Sequence, residues 1–304
     1  MRLAVAAVAL FSTSAVLVRM AQGFGPLEVA SYRLIAGALF IGLIAAATGS
    51  GLRPAGAPGP LLAAGAAAAV HFGFYIASLY RTSITHSLVL VNLSPVLAMP
   101  LATVFLGEPF ERRRVPGVLL TIAGLAVMVG LEPTLTRDNL VGDAMALLAA
   151  LAYAVYSIIG RTQRRGVSLL TYTFWVYLTA GVLLLPPALW QAGLFAGWSG
   201  PGAAVTGLAA GAGAGAAAAA PADGGLLPGV AAILLLALLP TAGGHTLYNA
   251  ALRRADAVTV NLIATQEVTG GVLLGLLFLG EAPTLQAAAG GLLALFGLYL
   301  VLRR

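Results

Sequence analysis

The chain has 304 residues, 60% of them hydrophobic and 9% charged, with a mean hydropathy of +0.97. A soluble globular domain carries roughly 25% charged residues, so water is not the solvent for most of this surface. The net charge of +6 comes from Arg alone, set singly or in short clusters between apolar runs, which reads as membrane topology and not as a nucleic-acid face; the absence of Cys excludes disulfides and thiolate sites.

A helix needs about 20 mostly apolar residues to cross a hydrocarbon core of roughly 30 Å. Apolar runs punctuated by charge, Gly and Pro predict spans at 3–20, 28–48, 59–79, 84–106, 115–131, 140–160, 169–190, 227–252, 257–279 and 285–302. None alternates as a barrel strand would, so the expected fold is an all-α integral membrane protein of ten transmembrane helices. The run 3–11 followed by Ser12-Thr13-Ser14 has the outline of a signal peptide, but removing it leaves an odd number of spans and a less consistent placement of the arginines.

Span two carries Arg33 in its outer part, beside Tyr32 and five residues after Glu28. Arg33 is expected to snorkel to the outer interface or to pair with a carboxylate, and is the candidate gate. In span three His71 and Tyr75 share a face at i, i+4. Span four contains Asn92, Ser94 and Pro95; Pro95 has no N–H for the Val91 carbonyl, which predicts a kink with a freed acceptor near the midplane. Span six offers Tyr153 and Tyr156. Span eight kinks at Pro240, and His245, Tyr248 and Asn249 then share one face. In span nine Gln266 and Glu267 lie near the middle. A charge there costs at least about 2.5–3.5 kcal/mol, so Glu267 is the leading candidate for proton coupling or for contact with a substrate amine. The plainer alternative for each of these residues is helix packing or interface anchoring; no metal site or cofactor is expected.

Placing the N-terminus inside puts Arg2, Arg53, Arg112, Arg113, Arg114, Arg161, Arg164, Arg165, Arg253, Arg254, Arg303 and Arg304 on one side, twelve of the sixteen arginines. That asymmetry predicts both termini in the cytoplasm of a bacterial-type inner membrane.

A shift of 173 positions aligns 75–128 with 248–301 without a gap. It matches Tyr75 with Tyr248 and Arg81 with Arg254, Phe105-Leu106-Gly107-Glu108 with Phe278-Leu279-Gly280-Glu281, Gly117 with Gly290, and Gly124 with Gly297. The chain divides into a first repeat at 1–131, an outside linker at 132–139 and a second repeat at 140–304, with a Gly/Ala-rich insertion near 191–226. Five spans per half make the second repeat inverted, an arrangement that in secondary transporters places the site near the midplane between the halves.

Pro26 and Tyr32-Arg33 opening span two, Leu93-Ser94-Pro95-Val96 in span four, and the repeated Phe-Leu-Gly-Glu with spaced glycines resemble the EamA family of the drug/metabolite transporter superfamily. The resemblance implies two inverted five-helix repeats around a central cavity, and a secondary transporter that exports small metabolites such as amino acids, its partners being a small-molecule solute and membrane lipid. Gln266-Glu267-Val268 departs from a second Ser-Pro signature and weakens what the resemblance implies for that helix. The chain has no Lys, so no Walker A loop can exist, and coupling is left to a proton gradient, an exchanged partner or facilitation. The central acid stands alone, without the paired acids a membrane enzyme would use. A lipid-linked or nucleotide-sugar carrier would need cavity arginines, for which Arg33 is the one candidate, and a receptor or scaffold is the non-transporting alternative. A fluorescent protein fused after Arg304 is expected to fluoresce and alkaline phosphatase there to stay inactive; active phosphatase would reverse the topology.

Overall fold

The computed structural model describes residues 1–21, 23–54, 58–79, 81–82, 84–129, 137–163, 167–193, 226–274, 277 and 284–303. Among these there is no strand. The helices are α1 (Arg2–Phe11), α2 (Ser14–Met20), α3 (Pro26–Ala47), α4 (Gly59–Ser78), α5 (Ile84–Val91), α6 (Ser94–Leu106), α7 (Val115–Val129), α8 (Arg137–Thr162) and α9 (Leu169–Gln191). They continue as α10 (Leu226–Leu236), a wide π-helical stretch (Ala237–His245), α11 (Thr246–Leu252), α12 (Ala257–Ala264), α13 (Glu267–Leu274) and α14 (Leu285–Leu302).

Among the described residues, eight helical segments are long and apolar enough to cross a membrane. The expected first span is shorter because it breaks at Ser12–Thr13, and the expected fifth is represented by α7, whose continuation at 130–136 lies outside the described residues. Span six begins at Arg137, inside the stretch expected as linker. Most of the Gly/Ala-rich insertion, at 194–225, and the second Phe-Leu-Gly-Glu lie outside the described residues.

Apolar side chains on the outside mark the lipid face: Leu43 on α3, Phe105 on α6 and Leu292 on α14 are each more than 60% exposed, while Ser31, Thr241 and Asn261 are fully buried. This inside-out distribution follows from hydrocarbon as solvent, in which packing and interior polar contacts hold helices together.

The contacts between spans obey a twofold exchange of the halves. Spans two and seven (α3, α9), four and nine (α6, α12) and five and ten (α7, α14) each pack on their own counterpart. Span three packs on span six as span eight packs on span one, and span four on span six as span nine on span one. The α7–α14 contact shows the inversion directly. A Cβ on Gly117 would stand 2.9 Å from the Gly297 carbonyl, and one on Gly124 would stand 2.7 Å from the Gly290 carbonyl. Residue numbers rise on one helix as they fall on the other, so the two run antiparallel, and the four glycines are the pairs matched by the 173-residue shift. These glycines let the backbones touch, as small residues do wherever transmembrane helices approach closely.

The first Phe-Leu-Gly-Glu terminates α6. Gly107 takes φ +64°, in the left-handed region that favours glycine, and the Glu108 N–H donates back to the Ala102 carbonyl at 3.2 Å. Glu108 is thereby delivered to the helix end. A leucine at Gly124 or Gly290 meets backbone that cannot yield, so Gly124→Leu is expected to lower the midpoint of thermal unfolding in detergent, with an overpacking cost of about 1–3 kcal/mol or more. Gly59→Ala, facing open space, serves as the neutral control; equal midpoints for both variants would remove the contact from the account.

Candidate functional site

Four spans are interrupted, each for a local reason. At Ser12–Thr13 the two hydroxyls donate to the carbonyls of Val8 and Leu10 at 2.8 and 2.7 Å, and such back-bonding bends helices. Span four breaks at Asn92–Leu93, where Pro95 follows and the Asn92 amide donates to the Leu88 carbonyl at 2.8 Å. Span eight widens into a π-helical stretch around Pro240, and Thr241 Oγ1 donates to the Leu236 carbonyl at 2.8 Å. Span nine breaks at Thr265–Gln266, where Thr265 Oγ1 donates to the Leu262 carbonyl at 2.8 Å. The second and fourth of these breaks are repeat-equivalent: Asn92 and Thr265 are 173 residues apart, although only the first repeat has a proline there.

All four interruptions open on one interior cavity. Phe11 and Ser14 flank it from span one, Asn92 and Ser94 from span four, Pro240 and His245 from span eight, and Ala264, Thr265 and Glu267 from span nine. Arg33, His71, Phe72, Tyr75, Val91, Tyr153 and Asn261 complete the wall. Its volume is about 40 Å³, enough for water and smaller than the roughly 150 Å³ that holds a benzene molecule.

Nine residues singled out in the sequence line this cavity: Arg33, His71, Tyr75, Asn92, Ser94, Tyr153, Pro240, His245 and Glu267. Tyr156, Tyr248 and Asn249 lie behind it in a buried network. Tyr248 OH donates to Asn261 Oδ1 at 2.5 Å, Asn261 Nδ2 to Ser157 Oγ at 2.9 Å, and Asn249 Nδ2 to Tyr156 OH at 2.5 Å. The repeat-equivalent Tyr75 and Tyr248 therefore do not face the cavity as a symmetric pair. Gln266 turns to Thr265 and Thr269, and Pro95 lies buried in the first turn of α6.

Arg33 does not snorkel and does not pair with Glu28. It is 2% exposed, its Nε donates to Thr241 Oγ1 at 3.1 Å, and its guanidinium lies 4.8 Å from the centre of the Phe72 ring. Glu28 instead accepts from the Gly25 N–H at 2.7 Å, closing the start of α3. The physical reason is the packing of α3, which runs against span seven and the π-helical stretch and so turns Arg33 inward. His71 Nδ1 stands 3.0 Å from the Ala149 carbonyl, which can only accept, so this nitrogen carries the proton. The His71 ring stacks on Tyr153 at 4.6 Å, and Tyr153 on Tyr248 at 5.3 Å.

Phe11, Phe72, Val91, Asn261 and Ala264 were not distinguished by sequence. Phe72 had a signal, being the repeat equivalent of His245, against which it packs edge-on at 5.0 Å. Asn261 had a weaker one, a polar residue one turn before Thr265 in an apolar span.

A larger cavity of about 220 Å³ sits further along the same helices, between Met99 and Ala102 of α6 and Val258 of α12. Its walls are charges that satisfy one another across the halves. Arg161 donates to Glu108 and to the Ala255 carbonyl, and to the Leu252 carbonyl at 3.2 Å. Arg114 bridges Glu111 at 2.8 Å and Asp256 at 2.9 Å. Partial burial pulls the Arg114 guanidinium down, but Asp256 and Glu111 outweigh it and its pKa is raised. Met99 of α6 and Val258 and Leu262 of α12 pack with Val118 and Ile122 of α7 and Val301 of α14 as an apolar layer.

The EamA-like transporter family model matches residues 1–130 and again 140–303. Two uncharacterized transporters of Archaeoglobus fulgidus are similar: one is 24% identical over 231 residues, covering 75% of this chain and 70% of the relative, the other 25% identical over 216 residues, covering 71% and 67%. A protein solved by crystallography shares the fold, with a TM-score of 0.76 at 17% identity over 98% of this chain and 94% of that one. With two copies of the family pattern, apolar membrane-length helices and transporter relatives, this multi-pass membrane protein belongs to the EamA-like transporter family.

Proposed function

We propose that the chain is a secondary transporter that exports small metabolites such as amino acids by alternating access of its two inverted repeats. The observation that carries this reading is the central cavity, where the interrupted helices of both halves meet around Arg33 and Glu267. Interrupted helices at membrane depth are stable only where protein or a water-filled cavity satisfies their backbone, and paired in this way they build transporter sites. Export, as opposed to uptake, rests on the family resemblance, and the inner-membrane setting with cytoplasmic termini rests on the arginine asymmetry.

On that topology the Arg161–Glu108 and Arg114–Asp256 bridges lie at the cytoplasmic end, where they and the apolar layer beneath close the inner mouth. Opening inward then requires the bridges to part. Glu267 couples the cycle to protons, with Arg33 the charged group that acts on it and Tyr75 and Tyr153 on the same cavity wall.

In sealed vesicles, labelled amino acids are expected to show saturable flux that accelerates under an imposed proton gradient, and Glu267→Gln to lose the acceleration. Gradient-insensitive flux in both proteins would remove the coupling role, and no flux of any solute by folded protein would count against transport. A second test uses the absence of native Cys. In the double variant Glu108→Cys with Arg161→Cys, a short bis-methanethiosulfonate cross-link is expected to stop flux and a reducing agent to restore it. Undiminished flux in the cross-linked protein would show that the inner mouth does not open there.

A further inference from the structure

We propose that Arg33 is the specificity-determining residue of the central cavity: its guanidinium takes the carboxylate of the solute while Glu267 takes an ammonium, so that only a zwitterion satisfies both. This rests on the transporter reading and names the chemistry of that same site.

Arg33 is buried, at 2% exposure, and among the described residues it forms no ion pair with an acid. Of its five N–H donors, Nε is used on Thr241. The terminal nitrogens make no hydrogen bond or ion pair among the described residues. Nor do they count among the sealed, partnerless polar atoms of the interior, which include Tyr172 OH, His245 Nδ1 and Asn249 Oδ1. They therefore keep contact with the cavity that Arg33 lines. Beneath the guanidinium, Phe72 fixes its plane by a cation–π contact, so the free edge is presented as a rigid fork. Such a fork matches a carboxylate with two parallel hydrogen bonds, which a lysine ammonium cannot reproduce.

Glu267 supplies the opposite charge. It begins α13 directly after the Thr265–Gln266 break, lines the same cavity, and makes no hydrogen bond or ion pair among the described residues. Arg33 and Glu267 do not approach within ion-pair distance of each other, so neither neutralises the other by contact. A buried unpaired charge is normally costly; two of opposite sign, held apart on one small cavity, are complementary to a solute with the same two charges in reverse. His71, Tyr75, Tyr153 and Phe11 provide a largely apolar, aromatic wall for the rest of such a molecule. A site built to hydrogen-bond a group rejects analogues that lack it, because its own polar atoms are then left bare.

The test measures flux into vesicles for the twenty amino acids, for the decarboxylated amines and for the deaminated acids with the same side chains. At least one amino acid is expected to be transported, with its amine and its acid each at least about tenfold poorer in kcat/KM, the scale of a lost charged hydrogen bond. In Arg33→Gln the preference for the zwitterion over its amine is expected to collapse toward unity, and in Arg33→Lys to survive in part. An amine carried as well as its amino acid would overturn the proposal and leave the transporter standing. So would an Arg33→Gln variant that slows both equally, the mark of a structural arginine, or flux confined to uncharged solutes. Absence of flux for every solute class by folded protein would overturn the transporter reading itself, and this proposal with it.

Discussion

Every backbone N–H and C=O inside a hydrocarbon core must find a partner within the protein, since unsatisfied groups there cost several kcal/mol each. An uninterrupted helix meets that demand alone; a broken one does not. This chain breaks or widens four of its spans, and all four interruptions face the same interior cavity. At the breaks, side-chain hydroxyls and an amide bond back to backbone carbonyls, from Ser12 and Thr13 through Asn92 and Thr241 to Thr265, and the Val8, Leu10 and Leu88 carbonyls accept a backbone N–H as well. Irregular backbone thus lies where other polar groups, Asn92, Ser94, Thr265 and Glu267 among them, line the same cavity.

The twofold relation of the halves determines what surrounds that place. Spans four and nine, which carry the repeat-equivalent breaks, pack on each other, so their breaks fall side by side. Spans five and ten form the tightest antiparallel contact, backbone on backbone at Gly117, Gly124, Gly290 and Gly297. The chemistry within the cavity is nevertheless asymmetric. Tyr75 lines it while its equivalent Tyr248 is committed to Asn261 behind the wall, and Ser94 in the first half stands where the second half has Glu267. The acid is therefore set by one half and Arg33 by the other, both on the wall of one cavity.

Much of this was legible in the residues. Apolar runs and arginine spacing announced a helical membrane protein, the 173-residue shift announced its two halves, and Pro95 and Pro240 announced two of the four interruptions. Nine of the residues singled out do line the cavity. The break at Thr265–Gln266 was hidden because no proline marks it; the Thr265 hydroxyl bonds back to Leu262 there, but Thr103 and Thr121 bond back in the same way within unbroken helices. Arg33 was misplaced because its position near a span end suggests snorkelling, whereas the packing of α3 against span seven and the π-helical stretch is a tertiary fact with no local signature. The first span is not one continuous helix for a similar reason: hydropathy registers the apolar run at 3–20 but not the break at Ser12–Thr13.

In the transport cycle proposed above, one cavity between the halves is reached in turn from both faces of the membrane. With no native Cys, a single Ala264→Cys variant places one thiol on the cavity wall, and its rate of reaction with a membrane-impermeant reagent can be measured from each side of sealed, oriented vesicles. Reaction from both faces, with solute or an imposed gradient speeding one as it slows the other, is the result predicted. A thiol reached from one face only under every condition, or from neither, would contradict alternating access through this site.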